Sequence, residues 1–445
     1  MKEQLKTIWK VFRMESSLVF HDSGVLLIFF VAAIVYPILY NFIYYNDVLE
    51  ETPVAIIDQS GTAASRRYLR KVDATPYVSI TDFCTDMDEA TKLMKKRKVN
   101  GIILIPSNYN EKLIHHEQAT ISTYSDMSAF LYYKNIVMAT NYVMLDEMDE
   151  IHLERYEMLG YSGEEAQQFI NAVPYEENTL YNPASGFGAF LLPAILIVIL
   201  HQTIFFGICM VGGTAREENR FNTLLSKEIN SRGIIAVVFG KALVYLLIYA
   251  VLTAYGLGLI PYIFNMPHIG SYGEMLKLML PFLLATIFFS LTFGTIIKRR
   301  ESGLILFLFF SLILLFLSGF SWPESNISNF WRLVSYLFPS TFGIQGYIKI
   351  NSAGALVSEI PRDYLGLWAQ TGFYFLTACV AYRFSQIHGH KINAIKQKIH
   401  KVRAKTIANR FGIDEKELLD EGDYAPDEVN NTDNSETTDN TEKAD

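Results

Sequence analysis

The sequence predicts an α-helical integral membrane protein with six transmembrane helices and an α/β domain inserted between helices 1 and 2. Three observations carry this. Half of the 445 residues are hydrophobic, 14% are aromatic and only 19% are charged, with a mean hydropathy of +0.18, a balance outside that of ordinary soluble proteins. Six apolar stretches are long enough to cross a bilayer, which takes roughly 20 helical residues. Between the first two lies a long segment in which short β-rich runs alternate with amphipathic helical ones.

Residues 1–23 carry Leu5, Ile8, Trp9, Phe12 and Val19 at three- to four-residue spacing with lysines opposite, the pattern of a helix lying in the inner membrane interface. The first span, 24–45, is too long for a signal-peptide core and lacks an A-x-A-like cleavage site, so it is read as a retained helix. The remaining spans are Gly186 to Val211, Ile234 to Phe264, Met275 to Ile297, Gly303 to Phe320 and Gly366 to Ile387. Cationic loops stay in the cytoplasm. Lysine and arginine gather before the first span, after the second (Arg216, Arg220, Lys227, Arg232), after the fourth (Lys298, Arg299, Arg300) and after the sixth, which places both termini inside. Segment 46–185 also contains cations, but it is long enough to be a domain and domains translocate largely regardless of charge, so it faces outside.

In that domain PVAIID, YVSI, VNGIILIP and ATISTY read as strands, separated by helices near Thr62 to Val72, Asp86 to Lys98 and Asn108 to His116. Strands alternating with helices of about ten residues predict a mixed, mostly parallel sheet. Asp58 with Ser60 and Gly61 forms the turn that ends the first strand, and Ser107 or Asn108 is placed to cap the third helix. A long helical stalk follows from about Ser128 to Ala172, with Phe130, Val137, Met144, Ile151 and Met158 recurring every seven residues. Two readings of that seam stay open: it pairs two protomers, or it packs on its own α/β domain.

The chain has no motif of its own for hydrolysing ATP, so it is not read as an enzyme. There is no GxxxxGK[ST]; Gly240-Lys241-Ala242 opens a hydrophobic span and lacks the Mg-binding hydroxyl. His115-His116-Glu117 is not HExxH, no G-x-S-x-G occurs, and Cys84, Cys209 and Cys379 lie far apart, so neither a metal site nor a disulfide framework is predicted. Inside the spans the clear polar case is His201 with Gln202. It is either an interhelical hydrogen bond or a substrate or proton contact. Lys241 lies near a span end and is expected to snorkel.

Four features resemble the membrane subunits of ABC-2-type exporters, specifically the multidrug-type branch with a large extracytoplasmic domain. They are the six-span plan itself, PVAIIDQSGTAASRRYL with Asp58 and Ser65, VNGIILIPSNYNEKL with Ile105-Pro106, and the stretch after the fifth span in which Ser335, Tyr336, Leu337, Pro339 and Thr341 match an S-Y-L-x-P-x-T string. The resemblance implies a permease subunit that moves substrate outward across the bacterial cytoplasmic (inner) membrane. Energy comes from ATP and Mg held by a separate cytoplasmic ABC ATPase, with no cofactor on this chain. It also implies a second permease protomer, identical or not, contact with membrane lipid and, in some members, a periplasmic adaptor. No nucleic-acid partner is expected.

Within segment 186–388 the loop 212–233 resembles the family's coupling helix, which rests in a groove of the ATPase. Glu218, Thr223 and Leu224 match its E-x-x-x-x-T-L pattern, with Asn222 where the family often has glycine. A helix there would set Arg216 and Arg220 one turn apart, with Glu217 and Glu218 beside them and Phe221 on an apolar edge. Region 321–365 is rich in aromatics and reads as short re-entrant helices capping the path. A rival reading is a membrane-anchored binding or receptor protein whose spans only present the outer domain.

Beyond the last span, 389–412 is a basic helix in which Ile392, Ile395, Ile399 and Val402 alternate with cations, suited to the inner leaflet or to the ATPase. Residues 413–445 form an acidic tail with thirteen acidic residues against two lysines, a composition that cannot bury a core. The chain's net charge of -8 belongs to this tail; the rest is mildly basic.

Overall fold

The computed structural model of the chain describes residues 2–171, 178–217, 233–297 and 299–411. It opens with α1 (Lys2–His21), followed by α2 (Ser23–Ile43), whose start is fixed by Asp22. The Asp22 carboxylate accepts hydrogen bonds from the backbone of Gly24 (3.0 Å) and Val25 (3.2 Å), satisfying two of the free N–H groups that every helix start leaves.

Next in sequence comes a four-stranded sheet of order β2-β1-β3-β4, built from β1 (Thr52–Asp58), β2 (Val78–Phe83), β3 (Gly101–Ile105) and β4 (Ser122–Ser125). The pairs β1/β2 and β1/β3 are parallel and β3/β4 is antiparallel, so the sheet is mixed and mostly parallel. β1 and β3 are central and covered on both faces, which is why they read as continuous apolar runs. Helices α3 (Ala63–Asp73), α4 (Met87–Lys95) and α5 (Tyr109–Ile114) make the crossovers. Thr62 and Ser65 form a capping box on α3, while the Ser65 hydroxyl donates to Asp58 at 2.7 Å and Asp58 also accepts from the backbone of Ser60 and Gly61. One carboxylate thus closes the strand, the turn and the helix start. Asn108 occupies the N-cap of α5, but its side chain makes no capping hydrogen bond.

The stalk is two helices, α6 (Phe130–Met158) and α7 (Gly163–Ile170), broken at Gly160, whose φ of +89° favours glycine. The stripe of α6 that packs on the sheet is Ile136, Ala139, Thr140 and Val143, with Glu147 below it bound by Arg67 at 2.9 Å. The seven-residue seam lies beside that stripe, with Phe130, Met144 and Met158 exposed.

The helices that follow are α8 (Phe187–Glu217), α9 (Gly233–Ile263), α10 (Tyr272–Gly294), α11 (Arg300–Leu317), α12 (Asn329–Ser335), α13 (Pro339–Ala353) and α14 (Pro361–Phe411). Among the described residues four helices are long and apolar enough to cross a membrane: α2, α8, α9 and α10. α8 is 89% buried over its apolar window and forms the axis of the bundle, packing on α10, α11 and α13, while α10 also packs on α14 and α1 lies along α9. α2 is the opposite case, 22% buried. Both α2 and α9 contain one π-helical turn, Leu27–Ala32 and Tyr255–Leu259, and the two helices meet where the Tyr255 hydroxyl donates to the Ile34 carbonyl at 3.1 Å.

The S-Y-L-x-P-x-T string is a joint between α12 and α13. Pro339 opens α13, and Thr341 reaches back to the Ser335 carbonyl at 2.7 Å. The carbonyls of Tyr336 and Leu337 are taken by Gln370 and Tyr374 of α14. Below them Glu324 accepts from Tyr336 at 2.6 Å and from Arg362 at 3.2 Å, and these bonds hold its carboxyl below the usual range, the Arg362 contribution being the larger.

Candidate functional site

At the α1 end of the bundle the chain gathers ionisable groups that sequence spacing does not bring together. α1 is amphipathic, and Glu15 falls on the same stripe as Phe12 and Val19. It is 2% exposed. Its carboxylate lies 2.5 Å from the Lys241 ammonium of α9 and accepts the Tyr245 hydroxyl at 2.5 Å, one helical turn further along. The ammonium also sits 5.8 Å from the Tyr382 ring centroid of α14. The expectation that Lys241 snorkels is corrected here: α1 covers that end of α9, so the ammonium finds a buried carboxylate instead of water. Gly240 lets the two helices approach, since a Cβ there would stand 2.9 Å from the Ile8 carbonyl oxygen.

A second cluster ties α2, α8 and α11. Arg300 donates to Asp22 at 2.7 Å, Thr214 reaches the other oxygen of Asp22 at 3.4 Å, and the Glu217 carboxylate accepts the backbone N–H of Arg300 at 3.0 Å. Arg299, at the N-cap of α11, gives no side-chain cap, so Glu217 of another helix supplies it. Close packing here depends on glycine: a Cβ on Gly213 would lie 2.8 Å from the backbone of Arg300, and one on Gly212 would lie 2.9 Å from the Gly294 carbonyl oxygen. The adjoining cleft, about 510 Å³, is lined by Ser17, His21, Asp22, Thr214 and Arg300.

Of the residues singled out in the loop after the second span, Arg216 and Glu217 fall on the last turn of α8. Arg216 is half-buried and turns inward, donating to the Thr295 carbonyl at the end of α10 and lying 3.5 Å from the Ser385 hydroxyl of α14. Glu217 is exposed apart from its bond to α11. Glu218, Arg220, Phe221, Thr223 and Leu224 lie outside the described residues. His201 is placed mid-helix in α8 at 1% exposure, edge-on to Phe289 at 5.6 Å, and its Nδ1 has no hydrogen-bond partner among the described residues. Gln202 is half-buried beside it. Sequence reasoning passes over Glu15, Asp22, Tyr245 and Tyr382; the available signal is a lone carboxylate on an otherwise apolar helical stripe.

The arrangement has a mechanical reading. Within the described residues α8 ends at Glu217 and α9 begins at Gly233, and these two helix ends are the feet of the segment between them. One foot is pinned to α2, α10, α11 and α14 through Asp22, Arg216, Glu217 and Arg300. The other foot carries Lys241 two turns in and is pinned to α1 through Glu15. Among the described residues no group of histidine, cysteine, aspartate or glutamate side chains is placed to hold a metal ion.

Comparison with known families matches residues 24–380 to a family described as ABC-2 family transporter protein. Comparison with individual curated proteins finds no match.

Proposed function

The chain belongs to the ABC-2 family of transporter proteins, a multi-pass membrane permease component of an ABC transporter, and from that premise we propose that it exports its substrate outward across the bacterial inner membrane, driven by a separate cytoplasmic ATPase. The family works with an ATPase component in general; the proposal is that this partner grips loop 218–232, with Glu218, Arg220, Phe221, Thr223 and Leu224 as its contacts. The observation that carries the reading is the double pinning of that loop's feet. A displacement that reaches these helix ends is handed on to α10 and α14 by Arg216, to α11 by Glu217, to α2 by the Arg300–Asp22 pair and to α1 by Lys241. This is rigid-body coupling of packed helices, and it requires ATP on the partner to favour one arrangement over the other.

In this reading α11 and the first part of α14 complete six spans, both termini are cytoplasmic, and the sheet stands outside. The exposed apolar side of α2, with Leu27, Val31, Ile34 and Phe42, fits lipid and a second permease protomer. A multidrug cargo and a periplasmic adaptor belong to the same proposal.

The test is co-expression with the ATPase. The purified chain alone should hydrolyse no ATP, and the complex should. Reversing Glu218 and Arg220 together should abolish stimulated hydrolysis while leaving the chain's own thermal stability unchanged. Reversing Arg216 should lower that stability. Wild-type turnover by the Glu218/Arg220 variant would overturn the coupling assignment, and a chain that binds no ATPase would favour the receptor reading.

A further inference from the structure

A cavity of about 1180 Å³ lies where α2 ends, α8 begins and the α/β unit is attached. Its floor is the chain around Tyr44 to Glu51 and Pro183 to Phe187, and its far wall is α6 with Tyr77. Some of the lining is already committed. Asp47 caps α8, accepting the Ala189 backbone N–H at 2.8 Å, and Asn135 donates to the Leu49 carbonyl at 2.7 Å. The other charged lining groups are Glu50, Glu51 and the half-buried Lys134, and their side chains make no hydrogen bond or ion pair among the described residues. The aromatic lining is Tyr44 beside Phe187, ring centroids 5.9 Å apart, and Tyr77 stacked on Tyr142 at 6.2 Å. Two non-glycine residues of the floor, Glu51 and Ser185, hold left-handed backbone at φ +50°. Such conformations cost free energy and persist where the surroundings fix them, often at ligand clamps.

We propose that this cavity binds the ammonium head of an amphiphile at the membrane boundary. Two exposed carboxylates against one ammonium favour a cation over an anion, and the Tyr44 and Phe187 rings with the outer face of Tyr77 add electron-rich surface that attracts a cation. The floor is the terminus of two apolar helices, so a ligand whose apolar body stays in the bilayer reaches the cavity with its head alone. The inference does not depend on the ATPase, and it holds whether or not the bound molecule is carried across. The ammonium can come from a lipid head group or from a free organic amphiphile, and one experiment separates the two.

The full chain is placed in nanodiscs of phosphatidylglycerol, which has no ammonium, and in nanodiscs of phosphatidylethanolamine, which has one. Binding of tetraphenylphosphonium is compared with that of tetraphenylborate, an ion of the same shape and opposite charge. In phosphatidylglycerol, Glu50→Gln with Glu51→Gln should weaken the cation about tenfold and leave the anion no weaker. Lys134→Gln should strengthen the cation. If the wild-type advantage over the double variant vanishes in phosphatidylethanolamine, the lipid head is the occupant; if it persists equally in both, a free amphiphile is. Equal cation binding by wild type and the double variant in phosphatidylglycerol overturns the proposal, as does a Lys134→Gln variant that binds the cation more weakly.

Discussion

Replacing Lys241 by Met is the sharpest perturbation of the bundle, because it leaves the Glu15 carboxylate buried with only Tyr245 to bond it. At 2.5 Å and an effective dielectric of about 20 the gross attraction of the pair is roughly 6–7 kcal/mol. Both groups are almost wholly shielded, with side chains 2% and 8% exposed, so desolvation consumes much of that attraction. The pair's net worth against two apolar residues is therefore small, whereas breaking it from one side costs about 3–5 kcal/mol. Unfolding entropy scales with chain length, so for 445 residues this corresponds to a fall in Tm of about 3–5 °C. Glu15→Leu alone should cost a similar amount. The double variant Glu15→Leu with Lys241→Met should recover most of the loss, since no charge is then stranded between α1 and α9. The assay is thermal unfolding of the four proteins of this cycle in one detergent. If the two single losses simply add in the double variant, the groups are not coupled and the pinning of α1 to α9 by this pair is refuted.

Three further outcomes follow from the geometry. Gly213→Ala should destabilise the bundle by about 1–3 kcal/mol by pushing α8 off the start of α11, while Gly258→Ala, with nothing within 4 Å, should be neutral or slightly stabilising in the same melts. Asp58→Ala removes the acceptor shared by Ser60, Gly61 and Ser65 and should cost about 2 kcal/mol, read as faster hydrogen exchange confined to the sheet and its helices. Because Arg362 and Tyr336 depress the Glu324 pKa, the stabilisation they give is complete above the ordinary carboxylate pKa near 4.3 and is lost as pH falls through the lower folded value. Hydrogen-exchange protection in 321–365, corrected for the intrinsic pH dependence of exchange, should therefore hold above the ordinary carboxylate pKa and fall as pH drops below it, and Arg362→Gln should lower the protection at neutral pH and shrink that acid-induced fall.

The parts legible in the sequence are those set by local rules. Strand β1 shows as an apolar run because both its faces are covered, and α3 starts at Thr62 because a hydroxyl there can reach the backbone of Ser65. What the sequence conceals is set by partners far along the chain. Glu15 and Lys241 are 226 residues apart, and nothing local to Lys241 says that an N-terminal helix will cover it. The seven-residue spacing on α6 draws attention to Phe130 and Met144, yet the packed stripe holds Ala139 and Thr140, whose small side chains let the helix close on the sheet. In the same way, alternating charge after the second span suggests a surface for a partner, whereas the Arg216 guanidinium is turned back on the carbonyl that ends α10.

The π-helical turns in α2 and α9 carry a consequence for length as well as shape. A π turn holds one residue more than the α-helix it interrupts, and one residue is about 100° of rotation. In α2 everything beyond Ala32 is therefore dialled a quarter-turn or so from where an unbroken helix would aim it, and the chain that leaves Ile43 toward β1 inherits that angle. Deleting a single residue between Leu27 and Ala32 would keep the span apolar and almost unchanged in height, yet it would swing the attachment of the whole sheet around the helix axis. The segment thus sets an azimuth as well as an apolar length.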